Sequence, residues 1–141
     1  RWEENNRRWE EAYKRFDLIE YRVSNIELAL GALTEASLAR YVYEDLLHEF
    51  SVRDEKILRR IRNHRIDDLD IDMFIETDRS VYVIEVKVRP RHADVGSLVA
   101  KIDVVKTKYP DKSIVGIIAA TLVGREVEEY ARQKGVLIYR Y

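Results

Sequence analysis

The chain has no cysteine, a single methionine, two prolines and five glycines in 141 residues. Without cysteine it can form no disulfide and no thiolate metal site. So few prolines and glycines leave few breaks in regular structure, and those that occur carry information. Long hydrophobic runs are missing too. The longest, Ile114 to Val123, is far short of the ~20 residues that span a bilayer. No leader segment is visible, and a cytoplasmic location is the expectation. An excess of charge of one sign is also lacking: 25 Lys and Arg stand against 26 Asp and Glu, for a net charge of −1. A globally basic nucleic-acid binder is therefore excluded, and any nucleic-acid contact must use a local patch. No Ser-His-Asp set, Gly-rich phosphate loop or Cys/His cluster is present.

What is there is 46% hydrophobic and 36% charged. This suffices for one domain with a core, with room for an appendage. The charged, cysteine-free composition suits a heat-adapted source.

The stretch from Asp70 to Val88, DIDMFIETDRSVYVIEVKV, reads as a β-hairpin. Two runs rich in alternating or β-branched residues flank a polar break at Thr77-Asp78-Arg79-Ser80. A turn centred on Asp78-Arg79 sets Asp72 opposite Glu85 and Asp70 opposite Lys87. The period of two then puts Asp70, Asp72, Glu85 and Lys87 on one face with Phe74, Val81 and Val83. Ile71, Met73, Ile75, Tyr82, Ile84, Val86 and Val88 take the other face. Both faces are apolar, so the hairpin belongs in mid-sheet, where opposed carboxylates need a cation. A divalent metal on Asp72 and Glu85, with Lys87 beside it, supplies one. The plainer alternative is a charged sheet end with an Asp70-Lys87 ion pair.

From Trp2 to Leu33 the chain repeats in sevens. Trp2, Trp9, Phe16, Val23 and Leu30 form one seam position; Asn5, Ala12, Ile19, Ile26 and Leu33 form the other. More than four heptads predict a coiled coil that pairs with a second copy. Gly31 and Thr34 offer a joint; a second helix runs from about Thr34 to Phe50, or continues the first without a break, with Leu38, Val42, Leu46 and Phe50 inward. Ser51 to Arg65 is basic and contains a strand anchored by Ile57 and Ile61. Its arginines, Arg59, Arg60 and Arg62 among them, could track phosphates, as could Arg89 and Arg91 beyond the hairpin. A solvated edge strand is the blander account. Pro90 ends the hairpin. A helix over about Ala93 to Lys108, a turn at Tyr109-Pro110-Asp111, a buried strand from Ser113 to Ala120, a helix from Gly124 to Lys134 and a strand from Val136 to Tyr141 complete the chain.

Asp72, twelve intervening residues and then Glu85-Val86-Lys87 resemble the core motif of the PD-(D/E)xK nuclease superfamily. The resemblance covers roughly Leu33 to Tyr141, and is narrower with a small prokaryotic branch in which a coiled-coil arm precedes the nuclease-like domain. It implies an α/β, restriction-endonuclease-like αβββαβ core with a mixed sheet plus a terminal αβ pair, at 34–141, behind a dimerising arm at 1–33. It implies a Mg²⁺- or Mn²⁺-dependent nuclease acting on phosphodiester bonds, with DNA as the expected partner. Asp72, Glu85 and the Val86 carbonyl would hold the metal, and Lys87 would orient water or neutralise charge. Asp70 is a rival ligand. Glu35, in the helix before the first strand, matches an accessory acid of the superfamily, though an ordinary early-turn glutamate fits equally well. Lys101 matches a lysine or glutamine that approaches such sites from the next helix; a snorkelling surface lysine is the simpler account. The proline of the superfamily's name is absent, since Ile71 precedes Asp72. The rival class is a non-catalytic nuclease-like module for DNA binding or assembly that works through its coiled coil.

Overall fold

A computed structural model describes residues 1–141. The elements run α1 (Trp2–Arg53), β1 (Ile57–Ile66), β2 (Leu69–Thr77), β3 (Ser80–Val86), α2 (His92–Lys108), β4 (Ser113–Ala120), α3 (Arg125–Gln133) and β5 (Val136–Arg140). Two compact units divide at Thr34. No helix is long and apolar enough to cross a membrane.

The first unit, Arg1–Thr34, is helical from Trp2 onward. Gly31 and Thr34 do not break α1; the Thr34 hydroxyl donates to the Leu30 carbonyl at 2.8 Å, a bond that keeps a polar side chain compatible with the helix. Trp2, Trp9, Phe16, Ile19, Val23, Ile26, Leu30 and Leu33 are all exposed.

In the second unit, Glu35–Tyr141, a five-stranded sheet has the order β1-β2-β3-β4-β5. β1-β2 and β2-β3 pair antiparallel, whereas β3-β4 and β4-β5 are parallel. Parallel neighbours need crossover connections, and α2 and α3 provide them. One face of the sheet packs Phe74, Val81, Val83 and Ile118 against Val95, Leu98, Ile102 and Val105 of α2 and Val127 and Ala131 of α3. The other packs Met73, Ile75, Tyr82, Ile84 and Val86 against Leu38, Ala39, Val42, Leu46 and Phe50 of α1. Helices on both sides explain why β3 is buried at every position from Val81 to Val86. Each large apolar side chain so buried contributes about 2 kcal/mol of transfer free energy.

Two local features shape the surroundings of Asp72 and Glu85. The first is Gly116 in β4, where a Cβ would collide with the Cδ1 atom of Ile102; its absence lets α2 sit close to the sheet. The second is a paired irregularity across β1 and β2. Asn63 has φ 51°, the left-handed region that asparagine tolerates better than most residues. Its register places it opposite Asp72, between the Arg62-Met73 and His64-Ile71 pairs. At this point both strands lose one step of alternation. Ile71 joins the α2-side core with Phe74, not the α1-side core with Met73 and Ile75. The sequence expectation for Ile71 is thus corrected: strict period two fails where the backbone kinks. Beyond it, Asp67 and Asp68, at φ 50° and 69°, close the β1-β2 hairpin through a two-residue turn whose positive φ values match strand twist.

Candidate active site

β2 and β3 pair as the sequence register requires, Met73 with Ile84 through Glu76 with Val81, about a turn at Asp78-Arg79. Continuing that register sets Asp72 opposite Glu85, but the ladder stops one step earlier. There β2 remains paired only to β1, and β3 only to β4. The strands part, and a cleft of about 260 Å³ opens, lined by Glu35, Asp70, Asp72, Glu85, Val86, Lys87, Asp94, Ser97 and Lys101.

Asp72 is held by the chain itself: the Val86 amide donates to its Oδ2 at 2.8 Å. Glu85, on the α2 side with Val81 and Val83, receives the Lys101 ammonium at 2.6 Å. The same ammonium donates to the Asp70 carbonyl at 2.5 Å. The side chains of Lys101 and Glu85 are only 16% and 12% exposed, so this pair is largely desolvated. Burial, and then the hydrogen-bonding carboxylate of Asp72, push Glu85 up to about 7; the Lys101 hydrogen bond offsets part of that rise.

Lys87 turns elsewhere. Its ammonium lies 3.9 Å from Asp94 Oδ1 and is half exposed. The expected Asp70-Lys87 pair is not formed, because the strands have separated and Asp70 faces Arg65 of β1 instead. Nor do Asp70, Asp72, Glu85 and Lys87 share one regular sheet face; the splayed strands bring them to one cleft by another route. Glu35 lines the cleft. Lys101 reaches the carboxylate cluster directly and does not snorkel outward.

The basic residues are scattered. Arg59 is engaged internally: it pairs with Glu76 at 3.0 Å, hydrogen-bonds the Tyr109 hydroxyl and lies 5.4 Å over the Phe74 ring. Arg60 lies 4.2 Å over the Tyr43 ring. Arg62, Arg89 and Arg91 are all exposed, along the sheet edge and the segment after β3. Sequence reasoning missed Asp94 and Ser97. Asp94 is legible afterwards as a first-turn helix acid, since its Oδ2 accepts the Arg91 amide at 2.8 Å. No motif marks Ser97.

No three His, Asp or Glu side chains converge in a way that could hold a metal alone. The carboxylates of Asp72 and Glu85 at one cleft are nevertheless oxygen donors. They suit a cation such as Mg²⁺, which is bound through one or two carboxylates and keeps several waters.

No family model matches the chain, and no curated protein does. Solved structures do. A repair endonuclease from Pyrococcus abyssi superposes with a TM-score of 0.59 at 21% identity, over 77% of this chain and 46% of that one. The EndoMS-dsDNA2 complex matches with a TM-score of 0.52 at 20% identity, over 62% of this chain and 36% of that one. EndoMS in its apo form gives 0.51 at 19%, over 77% and 46%. The fold is the one these endonucleases have. The chain spans less than half the length of each of these three structures, and at such identities the likeness concerns the fold alone.

Proposed function

We propose that this chain is a metal-dependent nuclease of the PD-(D/E)xK type that hydrolyses phosphodiester bonds in DNA, with a restriction-endonuclease-like αβββαβ core and terminal αβ pair at 34–141 and a dimerising coiled-coil arm at 1–33. The observation that carries this reading is the cleft at the parting of β2 and β3, to which Asp72, Glu85, Val86, Lys87 and Lys101 all contribute. The fold shared with a repair endonuclease and with a protein solved on double-stranded DNA supports the same reading.

In this reading Asp72, Glu85 and the Val86 carbonyl hold Mg²⁺ or Mn²⁺. The bound ion would supply Lewis-acid polarisation of the phosphate and a lowered pKa for the attacking water. The chain does the rest. Asp72 is fixed at Oδ2 by the Val86 amide, which sets the direction of its carboxylate toward the ion. Lys101 limits the repulsion between the two carboxylates by neutralising Glu85. Lys87, held loosely by Asp94, is free to move onto a phosphate and offset the charge that grows on it as water adds and one P–O ester bond breaks.

One observation favours the non-catalytic reading: Lys101 already provides Glu85 with a cation. A single assay separates the two. Labelled duplex, branched and single-stranded DNA, with RNA alongside, is incubated with the protein in Mg²⁺, Mn²⁺ or EDTA. Ion-dependent cleavage supports the nuclease. Binding without cleavage in every condition supports the module.

A further inference from the structure

The edge strand β1 carries Arg60, Arg62 and Arg65. Charge on an edge strand discourages unwanted pairing, and either face would serve that purpose. In a regular strand Arg62 and Arg65, three apart, would point to opposite faces. Here they do not. Ile61 packs on the α2-side core, so Arg62 points to the α1 side. His64 stacks on Phe74 with ring centroids 4.9 Å apart, and Ile66 packs on the same core, so Arg65 between them also points to the α1 side. The left-handed backbone at Asn63 makes the difference.

The kink has a position as well as an effect. It lies opposite Asp72, and Arg65 is in register with Asp70, whose carbonyl binds Lys101. Paired strands lie about 5 Å apart, so Arg65 stands one strand over from Asp70, which lines the cleft. Arg62, paired to Met73 next to Asp72, is exposed and has no ion pair. Arg65 has only an exposed contact, 3.6 Å from Asp68, of a kind that contributes little. Arg59 and Arg60 lie nearer the far end of β1, opposite Glu76 and Ile75, and are already engaged. Lys87 supplies a further exposed cation on the β3 side of the cleft.

We infer that Arg62 and Arg65, brought to one face by the Asn63 kink, form a phosphate clamp beside the cleft that grips the sugar-phosphate backbone of a DNA strand crossing it. Guanidinium forks suit phosphate oxygens, and contacts to the sugar-phosphate backbone carry no sequence information, so the grip is independent of sequence. This deepens the nuclease reading and rests on it.

The test is binding, read in EDTA so that no cleavage intervenes. The full chain is titrated onto labelled duplexes of two unrelated sequences between about 50 and 200 mM salt, the range over which phosphate contacts dominate. Arg62→Ala and Arg65→Ala should each weaken binding about tenfold on both sequences and lower the salt slope by about 1. Arg132→Ala, on α3, should change neither. Asn63→Gly, which tolerates the backbone, should bind as wild type does. Asn63→Val, which does not, should lose slope as Arg65→Ala does; should it fail to fold, the arginine variants still decide. A wild-type slope in the Arg62→Ala, Arg65→Ala double variant overturns the clamp while leaving the nuclease reading intact. A wild type that binds no DNA overturns both.

Discussion

The Val86 amide donates to Asp72 Oδ2 at 2.8 Å across a gap where β2 and β3 have ceased to pair. An amide that would otherwise extend the ladder satisfies a carboxylate instead. The separation thus costs little hydrogen bonding. The candidate site is in this sense a sheet that stops early, with the first unpaired residues of both strands facing the cleft.

The first prediction concerns turnover. Asp72→Asn, Glu85→Gln and Lys87→Ala should each lower ion-dependent cleavage by about 10²–10³-fold, the loss typical of a removed preorganised group. DNA binding in EDTA should fall only slightly for Lys87→Ala. Cleavage that persists unchanged in all three would indicate a contaminating nuclease.

The second concerns pH. Glu85 is pushed up to about 7 in the fold, against about 4.3 for an unfolded glutamate. Between those values the unfolded chain releases this proton first, so the folded state is favoured at the acidic end. In EDTA, stability should fall as pH rises through that window, by roughly 3 kcal/mol from this group. Chemical denaturation across the range measures it. Glu85→Gln, which cannot ionise, should flatten the curve; an unchanged curve would refute the assignment.

Lys101 provides the third. Removing one partner of a largely desolvated pair leaves a charge unmatched. Lys101→Ala should lower stability in EDTA by about 2 kcal/mol. Mg²⁺ should then raise the melting temperature more in the variant than in wild type, because the ion replaces charge that the ammonium supplied. Equal shifts would separate Lys101 from the ion site.

The arm provides the fourth. Its seam residues are exposed, and the proposed pairing would cover them with a second copy. Light scattering should report a dimer for the intact chain and a monomer for an Ile19→Asp, Ile26→Asp double variant. A monomeric wild type would overturn the pairing.

Much of the fold was legible from residue pattern. Alternation and the polar break at Thr77–Ser80 set the β2-β3 register correctly, because a turn of fixed length leaves one pairing that buries both faces. The strand at Ser113–Ala120 announced itself by its unbroken apolar run. What pattern could not show was the kink. A single asparagine at positive φ carries no marked signature, yet it reverses Ile71, and with it every inference drawn from period two beyond Asp72. The Asp70-Lys87 pair failed for a related reason: register says which residues face one another only while strands remain together. Lys101 was legible as a helix residue bordering an apolar stripe; its reach to Glu85 depends on how closely α2 lies on the sheet.

That closeness traces to Gly116. The side chain filling the notch above it belongs to Ile102, the neighbour of Lys101 in the chain. A methyl group at 116 would have to turn the end of Ile102 or lift α2, and lifting α2 draws the ammonium away from Glu85. Where Ile102 does not turn, a residue in the middle of β4 that offers no functional group of its own acts as a spacer gauge for the charge balance of the cleft. Screens that seek important positions by their proximity to substrate would pass over it.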